Sequence, residues 1–248
     1  MSVYGQKRAL KLSILDQSPS HQGEDAVQSF QRTIELATKA DGWIYHRYWV
    51  AEHHSSDRVM GSSPEVLISH LLAKTNRIRV GSGGVMLQHY SPYKVAENFN
   101  VLSSLAPGRV DLGIGRGPGG LPQSTMALQQ TTAGERSIGD KITALQEFLR
   151  GDLPETHELH GLTASPRPPE SADIFLLGTS ASSAEMAAEY GLPYVFALFL
   201  NSDLDVMTKA MQDYHSRFPA DVLLQKRAML ALPVVVAETD DEAAGLAA

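Results

Sequence analysis

The 248 residues are 43% apolar and 20% charged, with a net charge of −7. That composition supports a buried core and makes nucleic acid and anionic membranes poor electrostatic partners. The chain has no cysteine, which excludes disulfides, thiolate metal sites, iron–sulfur clusters and a thiol nucleophile, and fits a reducing cytoplasm. The opening stretch MSVYGQKRALKLSILDQSP holds no long apolar segment. No apolar run approaches the roughly 20 residues of a membrane span, so a soluble cytoplasmic protein without a signal peptide is expected.

Leu10–Leu15 reads as a first strand, and Asp25–Lys39 as a helix with Ala26, Phe30, Ile34 and Ala37 on its apolar face. Tyr48–Ala51 is a second strand. Ser63–Thr75 is a helix with Ser63 as N-cap, Pro64 at the first helical position and Glu65 in the first turn. Ile78–Leu87 is a third strand, Ser91–Leu105 a helix opened in the same way by Ser91 and Pro92, and Val110–Ile114 a fourth strand. Strand–helix units of about 30 residues in succession predict a parallel sheet with right-handed crossovers.

Residues 117–134 are rich in Gly, Pro, Ser, Thr and Gln and predict a long loop or insertion. A helix follows over Glu135–Leu149, then a Pro-rich irregular stretch over 151–171. Ile174–Leu177, Tyr194–Leu198 and Met229–Ala237 read as strands, with helices over Ser182–Tyr190 and Leu204–Phe218. Pro233 predicts a bulge or split in the last of these strands, and Asp240 is the expected N-cap of a helix reaching Ala248. The expected architecture is one α/β domain over 1–248. It is a TIM-type (β/α)8 barrel in which seven strands are legible and an eighth would follow the last helix. An open doubly wound sheet is the alternative.

In either architecture ligands bind at the carboxyl ends of the strands. Asp16 follows the first strand, as a site residue or as an ordinary turn carboxylate. Glu52, His53 and His54 follow the second. Neighbouring residues point to opposite sides, so one imidazole faces the site, able to bond a ligand or move a proton near neutral pH. A metal site competes, but no second histidine cluster has ligand-like spacing. Gly81, Gly83 and Gly84 inside the third strand predict close approach by another group, a flat ligand or a bulge. The run Gly115–Gly120 satisfies G-x-G-x-x-G literally. Pro118 and the absence of an immediate helix argue against a dinucleotide site, and Arg116 is the phosphate-reaching candidate within it. Gly178-Thr179-Ser180-Ala181-Ser182-Ser183 opens a helix and is the clearest anion seat, through helix N–H groups and hydroxyls, although one hydroxyl would suffice as a simple cap. A glycine-lined slot, a histidine, an arginine and a phosphate seat suit a phosphorylated planar cofactor such as FMN.

The segments WVAEHH, SSPEVLISHLLAKTNRIRVGSGGVML, HYSPYKVAENFNVLSSLAPGRVDLGIGRGPG and LGTSASSAEMAAEYGLPYVFA resemble the luciferase-like flavin-dependent monooxygenases, in the family's order and spacing. The resemblance implies a (β/α)8 barrel, often a homodimer, that takes reduced FMN and O2 and oxygenates a small organic substrate, with a separate NAD(P)H-dependent flavin reductase commonly supplying the reduced flavin. It places a catalytic base or hydrogen-bond donor at His53. The isoalloxazine falls against Gly83 and Gly84, often across a non-proline cis peptide. A cofactor-binding arginine falls at Arg116, and phosphate contacts at Thr179, Ser180, Ala181, Ser182 and Ser183. The luciferases' reactive cysteine beside the flavin is Gly115 here, so light emission is not implied. Relatives run on beyond Ala248 with the last strand and helix. Two other functions share the barrel: a non-catalytic flavin-binding protein and an F420-dependent oxidoreductase.

Overall fold

The computed structural model describes residues 10–129, 136–220 and 226–247. The chain divides into two compact units, Met1–Phe175 and Leu176–Ala248. The first holds β1 (Ser13–Asp16), α1 (Ala26–Gly42), β2 (Arg47–Val50), α2 (Pro64–Lys74), β3 (Arg79–Met86), α3 (Pro92–Leu105), β4 (Val110–Gly115), α4 (Pro122–Leu128) and α5 (Ile138–Arg150). A short 3-10 turn, Leu87–His89, leads from β3 to α3. β5 (Asp173–Gly178) runs into the second unit, which continues with α6 (Ala181–Glu189), β6 (Tyr194–Ala197), α7 (Leu204–Arg217), β7 (Ala228–Ala231) and α8 (Asp240–Ala247).

Within the first unit β1 pairs with β2, β2 with β3 and β3 with β4, all parallel. Within the second, β5 pairs with β6 and β6 with β7, again parallel. Strands thus neighbour one another in chain order, each followed by a helix. The reversal of order that defines a doubly wound sheet is missing from both units, and the fold class is the TIM-type (β/α) barrel. β2 and β4 are buried along their whole length, as strands covered on both faces must be.

The first unit carries a charged cluster inside its core. Asp111, fully buried on β4, accepts from Arg47 Nε at 2.8 Å and Trp49 Nε1 at 2.9 Å on one oxygen, and from Arg79 Nε at 2.8 Å and Nη2 at 2.6 Å on the other. Arg47 also lies 5.1 Å from the Phe175 ring centre. Four donors on one carboxylate satisfy both of its oxygens, which is the condition for burying it.

Several elements differ from the sequence expectation. The buried face of α1 is Ser29, Thr33, Ala37 and Ala40, not the stripe through Phe30 and Ile34. Ser29 Oγ donates to the Ser18 and Pro19 carbonyls and Thr33 Oγ1 to Ser18 Oγ, so polar residues with partners take the inward positions. Inside the stretch expected to be a loop, Pro122–Leu128 is helical, opened by Pro122 and with none of its residues buried. The helix expected from Glu135 starts at Ile138 with Ser137 as N-cap in a capping box with Asp140, and Glu135 and residues 130–134 lie outside the described residues. β7 stops at Ala231, before Pro233, which cannot donate to a ladder. α8 is capped by Thr239, whose Oγ1 accepts from Glu242 N at 3.2 Å, rather than by Asp240. No helix among the described residues is long and apolar enough to cross a membrane.

Candidate active site

The carboxyl end of β2 is the best-organised polar site of the first unit. Glu52 is fully buried. Its Oε1 lies 2.7 Å from His54 Nε2 and accepts from the Tyr90 hydroxyl at 2.7 Å, and its Oε2 accepts from the Met86 N–H at 3.0 Å. Burial and the adjacent Glu52 carboxylate push the Tyr90 hydroxyl above its ordinary value, so it stays protonated and donates. Glu52 and His54, two positions apart, therefore meet, and the His53 ring takes no part in these bonds. The His53 N–H donates to Gly61 O at 2.7 Å, and its Nδ1 is buried with no hydrogen-bond partner. Burial, then the neighbouring His54, lower the His53 value against a smaller raising effect of Glu52, so the ring is neutral at pH 7. A neutral imidazole with an unused nitrogen can accept or donate a proton or hydrogen bond to a ligand.

The segment after β4 is laced to the same place. Gly119 O accepts from His54 N at 2.7 Å, Pro118 O lies 2.9 Å from His89 Nε2, and Gly117 O accepts from Gln88 Nε2 at 2.7 Å. The other ring nitrogen of His89 lies 3.2 Å from Gln129 Nε2, just past α4. A Cβ on Gly120 would lie 2.6 Å from the His54 carbonyl oxygen. Gly120 thus answers to close backbone packing. Arg116 stands directly after β4 and is half-buried.

The Gly83–Gly84 peptide is cis, and the ladder between β3 and β4 shifts register between Gly83 and Val85. A Cβ on Gly83 would lie 2.5 Å from Leu15 Cδ1 and 3.2 Å from Trp49 Cβ, and one on Gly84 would lie 2.8 Å from Gly113 C and O. Backbone packing alone therefore demands glycine at Gly84, whereas a Cβ on Gly83 meets side chains. The bulge named as the competing reading is present, and it does not conflict with a ring laid over the same backbone.

Asp16 is the last residue of β1. Its Oδ1 accepts from Ser18 N at 2.8 Å and its Oδ2 from the Tyr48 hydroxyl at 2.6 Å, with the group buried. Each oxygen thus has a partner within the protein, the bonding that the turn reading of this carboxylate expects. Among the described residues no group of three or more His, Asp or Glu side chains is arranged to hold a metal ion.

In the second unit, β5 delivers the chain to the start of α6. Ser180 is the N-cap, in a reciprocal capping box with Ser183. Ser182 is exposed, with its Oγ 3.0 Å from Ser180 Oγ. Thr179 O accepts from Asn201 Nδ2 at 3.0 Å. Ser183, expected among the phosphate contacts, is fully buried; its hydroxyl donates to Ser180 O at 2.7 Å and lies 2.9 Å from the Tyr194 hydroxyl. A Cβ on Gly178 would come within 2.2 Å of Ser183 Oγ, which explains that glycine. Ser183 is thus the support of the turn. The outward groups are the Ser180 and Ser182 side chains and the first N–H groups of α6, which have no carbonyl one turn earlier.

Missed in the sequence are the Tyr90 and His89 side chains, the Met86 N–H, and Glu52 and His54 as partners of one another. Only the i, i+2 spacing of Glu52 and His54 carried a signal. The rest depends on contacts more than thirty positions apart.

Parallel strands neighbouring one another in chain order, each followed by a helix, define the TIM-type barrel class, whose strand ends carry the candidate site. The luciferase-like monooxygenase family model matches residues 10–248, and the chain belongs to that family. It is 46% identical over 235 residues to the N-acetyl-S-alkylcysteine monooxygenase of Bacillus subtilis, covering 94% of this chain and 70% of that protein. The solved structure of apo-MsnO8 is 41% identical with a TM-score of 0.84, covering 94% of this chain and 67% of the other. The FMN complex of the oxygenating constituent of 3,6-diketocamphane monooxygenase from Pseudomonas putida, a type II Baeyer–Villiger enzyme, has a TM-score of 0.76 at 23% identity over 96% and 71% of the two chains, a likeness of fold alone.

Proposed function

We propose that the chain is a flavin-dependent monooxygenase that takes reduced FMN as co-substrate and puts one atom of O2 into a small organic substrate. Reduced FMN supplies two electrons, so one oxygen atom enters the substrate and the other leaves as water. Family membership supports the class of reaction. Within the structure, the observation that carries the reading is His53, a neutral imidazole at a strand end with a buried, unpartnered Nδ1.

The residues present fit the cofactor in their chemistry. The start of α6, with Thr179, Ser180, the Ala181 and Ser182 N–H groups and the Ser182 hydroxyl, offers donors and a helix dipole to a phosphate in a protein whose net charge is −7. Arg116 adds a fixed positive charge for the cofactor, and Gly83 and Gly84 present bare backbone for its ring. His53 holds or moves a proton at the ring. Ser183, buried against Tyr194, keeps the Ser180 turn in shape.

The B. subtilis relative's name makes a thioether of the N-acetyl-S-alkylcysteine type the first substrate to try. A homodimer in the cytoplasm, fed by a separate NAD(P)H-dependent flavin reductase, completes the proposal. The test is turnover with such a reductase, FMN, O2 and a panel of thioethers, with reduced F420 in a parallel arm. Product formation with FMN and its loss in His53→Ala support the reading. Oxidation of an alcohol with F420 alone, or flavin binding without product across the panel, counts against it.

A further inference from the structure

We propose that Glu52 is a positioning residue for His53, acting through a closed lock with His54, Tyr90 and the Met86 N–H. The inference deepens the monooxygenase reading and rests on it in one respect, that His53 works at the flavin. A carboxylate with no exposed surface needs its charge balanced by donors, and this one receives them from three places: the end of β2 (His54), the end of β3 (Met86) and the entry to α3 (Tyr90). The His53 ring makes none of these bonds, yet its backbone sits between the two side chains that do. The flanking N–H groups are fixed as well, His53 N to Gly61 O and His54 N to Gly119 O, each at 2.7 Å. The segment 52–54 is therefore held on both sides, and the only ring left without a bond at its buried nitrogen is the one assigned to the chemistry.

A second tier steadies the first. The His54 and His89 rings meet edge to face with centres 6.2 Å apart, and His89 is tied to Pro118 and Gln129. The buried ammonium of Lys141 donates to Gln88 O at 2.7 Å and Tyr90 O at 3.2 Å, fixing the turn that carries Tyr90. Rotation of Glu52 would strand a Tyr90 hydroxyl, a backbone N–H and an imidazole at once, so one orientation is selected. Pre-organisation of this kind is how a catalytic ring is kept in geometry before the ligand arrives.

The test uses the full chain with isotopically labelled histidine. His53 ring nitrogens are assigned by difference against His53→Gln and recorded without flavin for wild type, Tyr90→Phe and Glu52→Gln, with Tyr93→Phe as a control that removes a tyrosine bond elsewhere on α3. Tyr90→Phe keeps the ring and is the variant that retains packing should Glu52→Gln fail to fold. The lock predicts that the His53 signals shift or split in both variants and stay put in Tyr93→Phe. Turnover then falls tenfold to a hundredfold in kcat with KM within about twofold. Unmoved His53 signals in a folded Tyr90→Phe overturn the inference whatever the kinetics show. If the signals move but His53→Gln itself turns over normally, the lock stands and the role given to His53 in the proposed reaction is what fails.

Discussion

Replacing Ser182 by alanine separates ligand binding from helix capping. Ser180 serves both ends, since it caps α6 and faces the proposed phosphate, so Ser180→Ala removes about 1 kcal/mol of cap stability along with any ligand bond. Ser182 is exposed, with its Oγ 3.0 Å from Ser180 Oγ. Its removal should leave folding stability within about 0.5 kcal/mol. A hydrogen bond to a charged group contributes about 1.5–3 kcal/mol, which translates to roughly a tenfold to hundredfold weaker Kd for FMN. Riboflavin has no phosphate and should bind Ser182→Ala as it binds wild type, within about twofold. Flavin fluorescence titrations with the two ligands provide the comparison. Equal weakening of FMN and riboflavin, or no change in either, would show that the phosphate does not sit on this turn.

Asp111→Asn should destabilise the chain by about 3–5 kcal/mol in urea unfolding, because the amide cannot serve four donors and leaves Arg47, 5% exposed, without its counter-charge; a loss under about 1 kcal/mol would mean the cluster is wetter than its burial implies. Burial, then the positive charges of Arg47 and Lys11, lower His46 to about 4. The unfolded chain therefore binds more protons between about 6.5 and about 4, and stability must fall as pH drops through that window. His46→Gln should flatten this part of the stability–pH curve, and an unchanged slope would remove His46 as its source. Gly178→Ala forces a methyl to within 2.2 Å of the buried Ser183 hydroxyl, and should lower stability by about 1–3 kcal/mol while weakening FMN through the displaced turn. Wild-type melting and FMN affinity in that variant would show the turn to be more yielding than its packing suggests.

The strand–helix alternation was legible because β2, β4 and β6 are short apolar runs bounded by turns, and because Ser91-Pro92 and Ser63-Pro64 mark helix starts. The barrel was the expected architecture, with the doubly wound sheet as its alternative. The choice lies in strand order, which no local pattern encodes. α4 was unreadable for a different reason: it is seven residues long and none of them is buried, so there is no apolar stripe to find. On α1 the stripe existed but misled, since Ser29 and Thr33 go inward on the strength of bonds to Ser18 and Pro19. The same limit shaped the candidate site. A run of hydroxyls at 179–183 announces a helix start but cannot say that Ser183 is the buried member. The histidine pair marks the strand end as a candidate site, whereas the Glu52 partners Met86 and Tyr90 lie more than thirty residues away.

The central claim is that this chain transfers an atom of molecular oxygen at the cost of reduced FMN. Turnover of an N-acetyl-S-alkylcysteine under 18O2 in ordinary water, with FMN and a flavin reductase, followed by mass spectrometry, addresses it most directly. The account predicts one 18O per product molecule and none when the label is placed in water instead. Product carrying oxygen from water, or flavin oxidised with only hydrogen peroxide formed, would contradict it.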